Sequence, residues 1–278
     1  MDTSSTGSLS SSLSSSTTVD SLLDQVKYDV FTSDQATFDA LPDGEDPIVA
    51  GTFYRVSSEY YKLRGPAQRF YETALLYLGY ANITSLSKDA QIAIATDIAM
   101  AALIGDGVYN FGEVNAQPVL LALQNTSYQW LYDLLITFQN GNINEFYKVI
   151  KNNQNNFDQQ KALVGAYDKI VEKIKLLAFM ELSARRSATD RSISFNDIAK
   201  ETQVTNDKVE LLIMRAISLG LIKGHIDEID QVVHVSFVKP RVLDKTQITV
   251  LREKINEWTN KANTALTFME EHTKDILS

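Results

Sequence analysis

From Gly51 onward, apolar residues recur every three or four positions, the spacing that places side chains on one face of an α-helix. Glycines at 65, 79, 105 and 141 interrupt these runs, so the helices are expected to form hairpins. A short hairpin cannot bury its own apolar face, whereas stacked hairpins bury that face between neighbours. The pattern therefore predicts an α-solenoid of helical hairpins, closed by one long helix over residues 157–183.

The periodicity changes at Ile193, where a short β-prone segment precedes two helices. Asn196 and Asn206 are placed to cap these helices, and Gly220 is placed to end the second one. Two further β-prone runs, Leu221 to Ile226 and Val232 to Val238, flank a polar turn. Strand, helix, turn, helix and hairpin in this order predict a winged helix.

The last helix, predicted from Lys245 to Leu277, carries an apolar seam spaced by three and four residues without a break. Its members are Ile248, Leu251, Ile255, Trp258, Ala262, Ala265, Met269, His272 and Ile276. Such a seam packs along other helices in a coiled coil or a bundle. The helix is expected to join a partner bundle, and folding back onto the solenoid is the alternative.

These patterns give a mainly α fold class and four segments. Residues 1–45 form a low-complexity segment predicted to be disordered, because residues 1–20 are almost wholly Ser, Thr and small side chains. Residues 46–185 form the helical-repeat array, residues 186–240 the winged helix, and residues 241–278 the C-terminal assembly helix.

Composition narrows the class of protein. The 278 residues carry a net charge of −9 and no cysteine, which excludes disulfides, thiol nucleophiles and thiolate metal sites. No apolar run reaches the roughly 18 residues of a membrane span, and no secretory signal is visible at the N-terminus. We therefore expect an intracellular, soluble protein without a membrane partner.

Nothing in the chain indicates catalysis. The three histidines, His225, His234 and His272, fall on two strands and a distant helix, and no HExxH pair, nucleophile elbow or phosphate loop is present. His234 is expected to be exposed or at an interface, and His272 to be a packing residue. We expect no enzyme, no cofactor, no metal and no small-molecule substrate.

Winged helices commonly bind DNA, so nucleic acid is the rival partner. Arg185, Arg186 and Arg191 could grip phosphate, but pairing with the excess carboxylates is favoured. The second helix balances Lys208 and Arg215 against Asp207 and Glu210, and the wing turn is acidic. Like charge opposes phosphate binding. Protein binding is favoured, with an edge for strand addition at Val232, Val233 and Val235.

Several segments resemble one known family. They are Phe53 to Lys62, Phe70 to Leu75, Leu78-Gly79, Tyr109 to Glu113, and Lys239 to Asp244. All are similar to segments of non-ATPase subunit 13 of the 26S proteasome regulatory particle, and the array with its winged helix looks like the PCI domain. The resemblance covers roughly Asp46 to the C-terminus. The family has a longer helical N-terminus, where this chain has a Ser-rich segment.

The resemblance implies a non-catalytic lid subunit in ubiquitin-dependent protein degradation, in the cytoplasm and nucleus. Its partners would be other lid subunits, reached by sheet extension from the winged helix and by the C-terminal helix in a bundle. The interface would include Leu251, Ile255, Trp258, Ala262 and Met269. Two alternatives stay open: a PCI scaffold of the COP9 signalosome or a translation-initiation complex, and a nucleic-acid adaptor.

Overall fold

The computed structural model describes residues 47–81, 86–186, 192–242 and 245–272. Over these residues the protein is mainly helical. Its helices are α1 Pro47–Arg64, α2 Ala67–Tyr80, α3 Lys88–Ile104, α4 Phe111–Asn115, a 3-10 helix Pro118–Leu123, α5 Gln129–Asn140, α6 Ile143–Asn152, α7 Gln154–Gln159, α8 Lys161–Gly165, α9 Tyr167–Arg185, α10 Phe195–Thr202, α11 Asn206–Ser218 and α12 Lys245–His272. Its strands are β1 Ser192–Ser194, β2 Ile222–Asp227 and β3 Val232–Val238. The chain divides into two units, of residues 1–82 and 83–278.

The first unit contains the hairpin of α1 and α2. The three-and-four spacing puts Phe53, Val56, Tyr60 and Leu63 on one face of α1, but that face is not the buried one, because Val56 and Leu63 are exposed. The buried residues of α1 are Ala50, Tyr54, Ser57 and Ser58. Aromatic and aliphatic residues occupy more than one face of α1, so spacing alone could not select the buried face.

The second unit begins with a well-packed helical core. The predicted stripe of α3 is buried, including Ile98, Ala99 and Ala102. The small side chains of Ala99 and Ala102 let neighbouring helices approach closely. Three aromatic rings, Phe111, Phe138 and Phe146, form a continuous cluster with centroids 4.9 and 5.6 Å apart. Aromatic pairs at such distances add to the free energy gained from burial alone.

Capping residues mark the ends of several helices in this core. The Ser87 hydroxyl accepts a hydrogen bond from the Ala90 amide at the start of α3. Gly141 ends α5 in the left-handed conformation, with φ of 63°. The Asn142 side chain then accepts from the Glu145 amide and starts α6. Local capping chemistry therefore determines where these helices begin and end.

The long helix predicted over residues 157–183 is wrong. The chain forms α7, α8 and α9 instead, with breaks at Gln160 and Ala166. Phe157 and Leu163 are both buried, although residues six apart point about 120° apart in a straight helix. The breaks turn both side chains inward, which a continuous helix could not do.

The winged helix forms as predicted, with small differences at its caps. The Ser194 hydroxyl, not Asn196, accepts from the Asp197 amide and caps α10. Thr205 precedes α11, and Asn206 is its first residue. Gly220 follows α11 with φ of 66°, as expected of the residue that ends it. The three strands form an antiparallel sheet in the order β1, β3, β2.

Helix α9 joins the helical core to the winged helix inside the second unit. It packs against α3, α5 and α6 and also against α10 and β3. Its core residues, such as Ile170, Ile174 and Phe179, are fully buried. The predicted fold class, helical hairpins followed by a winged helix and a C-terminal helix, is confirmed, while the segment boundaries at 45, 185 and 240 stay predictions.

Candidate partner-binding surfaces

Helix α12 exposes an apolar seam along its length. Ile248, Leu251, Ile255, Trp258 and Met269 are between 45% and 71% exposed. Ala262 and Ala265 lie on the same seam and are also exposed, while the side chain of His272 lies outside the described residues. The seam is therefore an exposed apolar surface, a feature that is common at interaction sites.

The segment before α12 is fastened to the helical core by a buried ion pair. The Arg241 guanidinium contacts the Glu181 carboxylate of α9, and these side chains are only 12% and 13% exposed. Arg241 also lies 3.5 Å from the Gln139 carbonyl oxygen at the end of α5. A largely buried, paired Arg is costly to disturb because the remaining carboxylate would keep only its contact with the exposed Arg185.

Two residues of the α4 segment complete this attachment. The Asn110 side-chain oxygen accepts a hydrogen bond of 3.0 Å from the Val242 amide. A Cβ on Gly112 would lie 2.3 Å from the Val242 carbonyl oxygen, so only glycine permits this approach. We call Asn110, Gly112, Glu181, Arg241 and Val242 the linker clamp. The clamp brings together two of the segments quoted for the family resemblance.

Lys173 of α9 is a buried cation next to the clamp. Its ammonium donates to the carbonyl oxygens of Ala102, Leu103 and Gly105 at 2.7 to 3.0 Å. These oxygens end α3, whose dipole favours a positive charge there. The rings of Tyr109 and Phe111 lie 5.7 and 5.8 Å from the same nitrogen. Burial lowers the pKa of Lys173 to about 8.

The edge predicted at Val232, Val233 and Val235 is wrong, because β3 is the central strand of the sheet. It pairs with β1 through residues 192–194 and with β2 along its length. Val233 and Val235 are buried in the core and present no surface to a partner. The sequence pattern identified a strand but could not show its neighbours. Among the described strands, β1 and β2 form the edges.

The basic residues near the winged helix are in ion pairs. Arg185 pairs with Glu181 and Glu201, and Arg186 pairs with Asp197 at 2.8 Å. The favoured interpretation, pairing with carboxylates, is confirmed for these two residues, while Arg191 lies outside the described residues. In α11, Arg215 pairs with Glu172 at 3.0 Å.

The exposed face of α11 carries apolar side chains, and the wing turn is acidic. Leu211 and Met214 are both more than half exposed on α11. In the wing, the Asp227 carboxylate accepts hydrogen bonds from the amides of Ile229 and Asp230. The negative side chain therefore stabilises the turn itself.

The two strand histidines lie directly opposite each other. His225 and His234 stack with ring centroids 4.6 Å apart, and the Ser192 hydroxyl lies 2.9 Å from His234 Nδ1. His234 is half-buried and His225 is exposed. The prediction that His234 is exposed or at an interface is therefore only partly met, since its ring packs within the sheet.

Sequence reasoning missed the linker clamp and the buried lysine. A signal was present, because Lys173 and Glu181 occupy the same three-and-four spacing as the buried residues Ile170, Ile174 and Leu177. A charged residue at a core position of a helix needs a buried partner. The sequence did not show that those partners are carbonyl oxygens of α3 and an arginine some 60 residues later.

A helical core that ends in α9 and continues into a winged helix defines a class of protein, the PCI-domain proteins. The PCI domain model matches residues 150–237. No helix in the described part of the chain is both long and apolar enough to cross a bilayer.

A second model, PSD13 N-terminal repeats, matches residues 7–135. The chain belongs to the family of the 26S proteasome non-ATPase regulatory subunit 13. It is 37% identical over 235 residues to the subunit of that name from Dictyostelium discoideum, covering 84% of this chain and 61% of the relative. It is 35% identical over 215 residues to the 26S proteasome regulatory subunit RPN9 of Saccharomyces cerevisiae, covering 77% and 53%.

The chain thus spans about three fifths or less of the length of the curated relatives it matches. A more distant similarity connects it to eukaryotic translation initiation factor 3 subunit M of Xenopus tropicalis. That match has 29% identity over 147 residues, covering 52% of this chain and 37% of the relative.

Proposed function

We propose that this chain is a non-catalytic structural subunit of the lid of the 26S proteasome regulatory particle. It would support lid assembly in ubiquitin-dependent protein degradation, in the cytoplasm and nucleus, with other lid subunits as partners. The observation that carries the proposal is the exposed seam of α12 on a chain of this family. Leu251, Ile255 and Trp258 are accessible in the monomer, so their burial is available to a partner.

The linker clamp supports this role for α12. Val242 is hydrogen-bonded to Asn110, and α12 begins three residues later at Lys245. Three residues span at most about 11 Å, so the start of α12 must lie close to the helical core. A helix with a fixed starting point loses less entropy when it enters a bundle than one on a long linker.

A second contact is available at the edge of the winged-helix sheet. Strand β2 has β3 on one side and is an edge strand in the described sheet. Its backbone groups can extend the sheet into a neighbouring subunit by strand addition. This proposal moves the expected sheet contact from β3 to residues Ile222–Asp227. The acidic wing and the paired arginines favour a protein neighbour over nucleic acid.

The test is incorporation of the tagged full-length chain into native complexes. A variant with Leu251→Asp, Ile255→Asp and Trp258→Asp puts three charges on the seam. The matched control, Asn256→Asp, Asn260→Asp and Asn263→Asp, adds the same charge to exposed polar positions of α12. We expect the wild type and the control to co-purify with lid subunits and the seam variant to be lost from the complex.

Circular dichroism of the purified variants separates loss of folding from loss of binding. The seam variant should keep its helical signal, because these side chains are exposed. Recovery of the wild type with translation-initiation or signalosome subunits instead of lid subunits would overturn the assignment. Equal incorporation of the seam variant and the control would show that the seam of α12 is not part of the interface.

A further inference from the structure

Large and small side chains are distributed unevenly along the seam of α12. The N-terminal half presents Ile248, Leu251, Ile255 and Trp258, whereas the C-terminal half presents Ala262, Ala265 and Met269. All seven are exposed. A partner helix must therefore offer small residues opposite the first half and larger ones opposite the middle of the second half.

The same helix in the opposite direction meets this requirement. When two copies run antiparallel and are centred on Asn260, Trp258 lies opposite Ala262 and Ile255 lies opposite Ala265 of the other copy. Leu251 then lies opposite Met269. Each large side chain faces a small or flexible one, the complementarity that knobs-into-holes packing requires. We propose that α12 mediates an antiparallel homodimer of this chain.

The positions beside the seam support the same alignment. On the C-terminal half, Leu266 and Phe268 are exposed apolar residues next to the seam. In the antiparallel pair they lie across from Arg252 and Lys254, respectively. The aliphatic stem of Arg252 can cover Leu266, and the Lys254 ammonium can lie against the Phe268 ring. The basic flank of one half thus matches the apolar flank of the other.

One position works against association. Lys261 lies beside the two-fold axis and faces Lys261 of the second copy. Repulsion between these like charges weakens as salt screens it. The dimer should therefore be reversible and should tighten when Lys261 is neutralised.

The paired seam extends from Leu251 to Met269, about 27 Å at 1.5 Å per residue. Such a dimer would hide the same seam that is proposed to enter the lid, so dimerisation and incorporation would exclude each other. Free subunits would keep their apolar surface covered until a lid partner replaces the second copy. The inference rests on the exposed seam and holds whether or not the proposed function is correct.

The first test measures association of the full-length chain by sedimentation equilibrium over a range of concentrations. We expect a monomer–dimer equilibrium in the wild type. Trp258→Ala leaves a gap and Ala262→Trp creates a clash, so each should weaken dimerisation by roughly tenfold or more. The double variant Trp258→Ala/Ala262→Trp exchanges the two partners and should recover most of the loss. Lys261→Gln should lower the dissociation constant and flatten its salt dependence.

The second test determines whether the two copies of α12 run antiparallel or parallel. The chain has no cysteine, so introduced thiols report only on their own neighbours. A mixture of Leu251→Cys and Met269→Cys chains should form a disulfide between the two types of chain under mild oxidation. Leu251→Cys alone should not, because in an antiparallel pair those positions lie about 27 Å apart along the axis, far beyond disulfide reach.

Three results would overturn the proposal. They are a monomer at every concentration, failure of the double variant to recover association, and efficient cross-linking of Leu251→Cys to itself, which indicates a parallel pair. None of these bears on incorporation into the lid, which is read from native complexes. A monomeric chain that still enters the lid would refute the dimer alone, and a dimeric chain that never enters it would refute only the proposed function.

Discussion

At the scale of single residues, the Glu181 carboxylate takes part in two ion pairs of different character. Its pair with Arg241 is buried, whereas Arg185, which also contacts Glu181, is 62% exposed. Burial removes water from both charges of the first pair, so each depends on the other for stabilisation. The exposed pair is screened by solvent and contributes little.

Arg241→Met should therefore destabilise the fold strongly. Removing the guanidinium leaves a largely buried carboxylate with only the solvent-exposed Arg185 as counter-charge, which costs up to about 3–5 kcal/mol in the free energy of unfolding. Arg185→Met, which removes the exposed contact to the same carboxylate, should cost less than about 1 kcal/mol. Urea denaturation of the two variants measures the difference.

The double variant Arg241→Met/Glu181→Gln tests the cause of the Arg241 effect. It removes both charges and should recover part of the stability lost in Arg241→Met. If the double variant is no more stable than the single one, the loss comes from packing around Arg241 and not from the uncompensated charge.

Lys173 should make the free energy of unfolding depend on pH, in a direction that its pKa determines. Burial lowers its pKa to about 8 in the folded protein, from the ordinary lysine pKa of 10.5. Between these values the unfolded chain binds more protons, so the free energy of unfolding should rise with pH from about 8 to about 10.5. Burial of the ammonium is the main cause, and the charge of Lys169 adds to it.

The measurement is urea denaturation of the wild type and Lys173→Met across that pH range. The variant cannot titrate at this position, so the wild type should gain stability relative to it as pH rises. A difference that stays constant with pH would mean that the three carbonyl oxygens hold the pKa of Lys173 near its ordinary value.

At the scale of elements, α9 and α12 carry the same three-and-four pattern with opposite outcomes. In α9 the seam residues Ile170 and Ile174 are fully buried, whereas in α12 Leu251 and Ile255 are about half exposed. The pattern specifies that a face will pack against something. It does not specify whether the neighbour belongs to the same chain.

Strand β3 shows the same limit for sheets. Its residues were predicted to form a strand, and the bounds Val232–Val238 are confirmed. Its position in the centre of the sheet depends on β1, some 40 residues earlier, which pairs through Ile193 and Val233. Alternating β-branched residues indicate a half-buried strand but carry no information about long-range pairing.

At the scale of the whole molecule, net charge affects which class of partner we expect. The net charge of −9 repels the phosphate backbone unless a local basic surface overcomes it. Arg185, Arg186 and Arg215 are each paired with carboxylates. These three arginines are therefore already engaged with carboxylates, whereas Lys208 of α11 is exposed.

We expect no salt-dependent binding of generic DNA or RNA by the full-length chain at physiological ionic strength. A charge-reversed wing, with Asp227→Lys, Glu228→Lys and Asp230→Lys, should gain weak binding that falls with added salt. Fluorescence anisotropy with labelled oligonucleotides measures both proteins. Tight, salt-sensitive binding by the wild type would support the nucleic-acid adaptor instead.

The sequence by itself determined the elements that depend on local physics. Helix periodicity, the caps at Ser87 and Asn142, the left-handed glycines at 141 and 220 and the order of the winged helix all follow from interactions within a few residues. The family is also recognisable from short segments such as Tyr109 to Glu113.

Tertiary structure decided what depends on residues far apart in the chain. It broke the expected long helix so that Phe157 and Leu163 could both be buried, and it placed β3 between two other strands. It also joined Asn110 to Val242 and Glu181 to Arg241, and it left the seam of α12 exposed. Each outcome depends on which surfaces meet when the chain is compact, and local spacing carries no record of that.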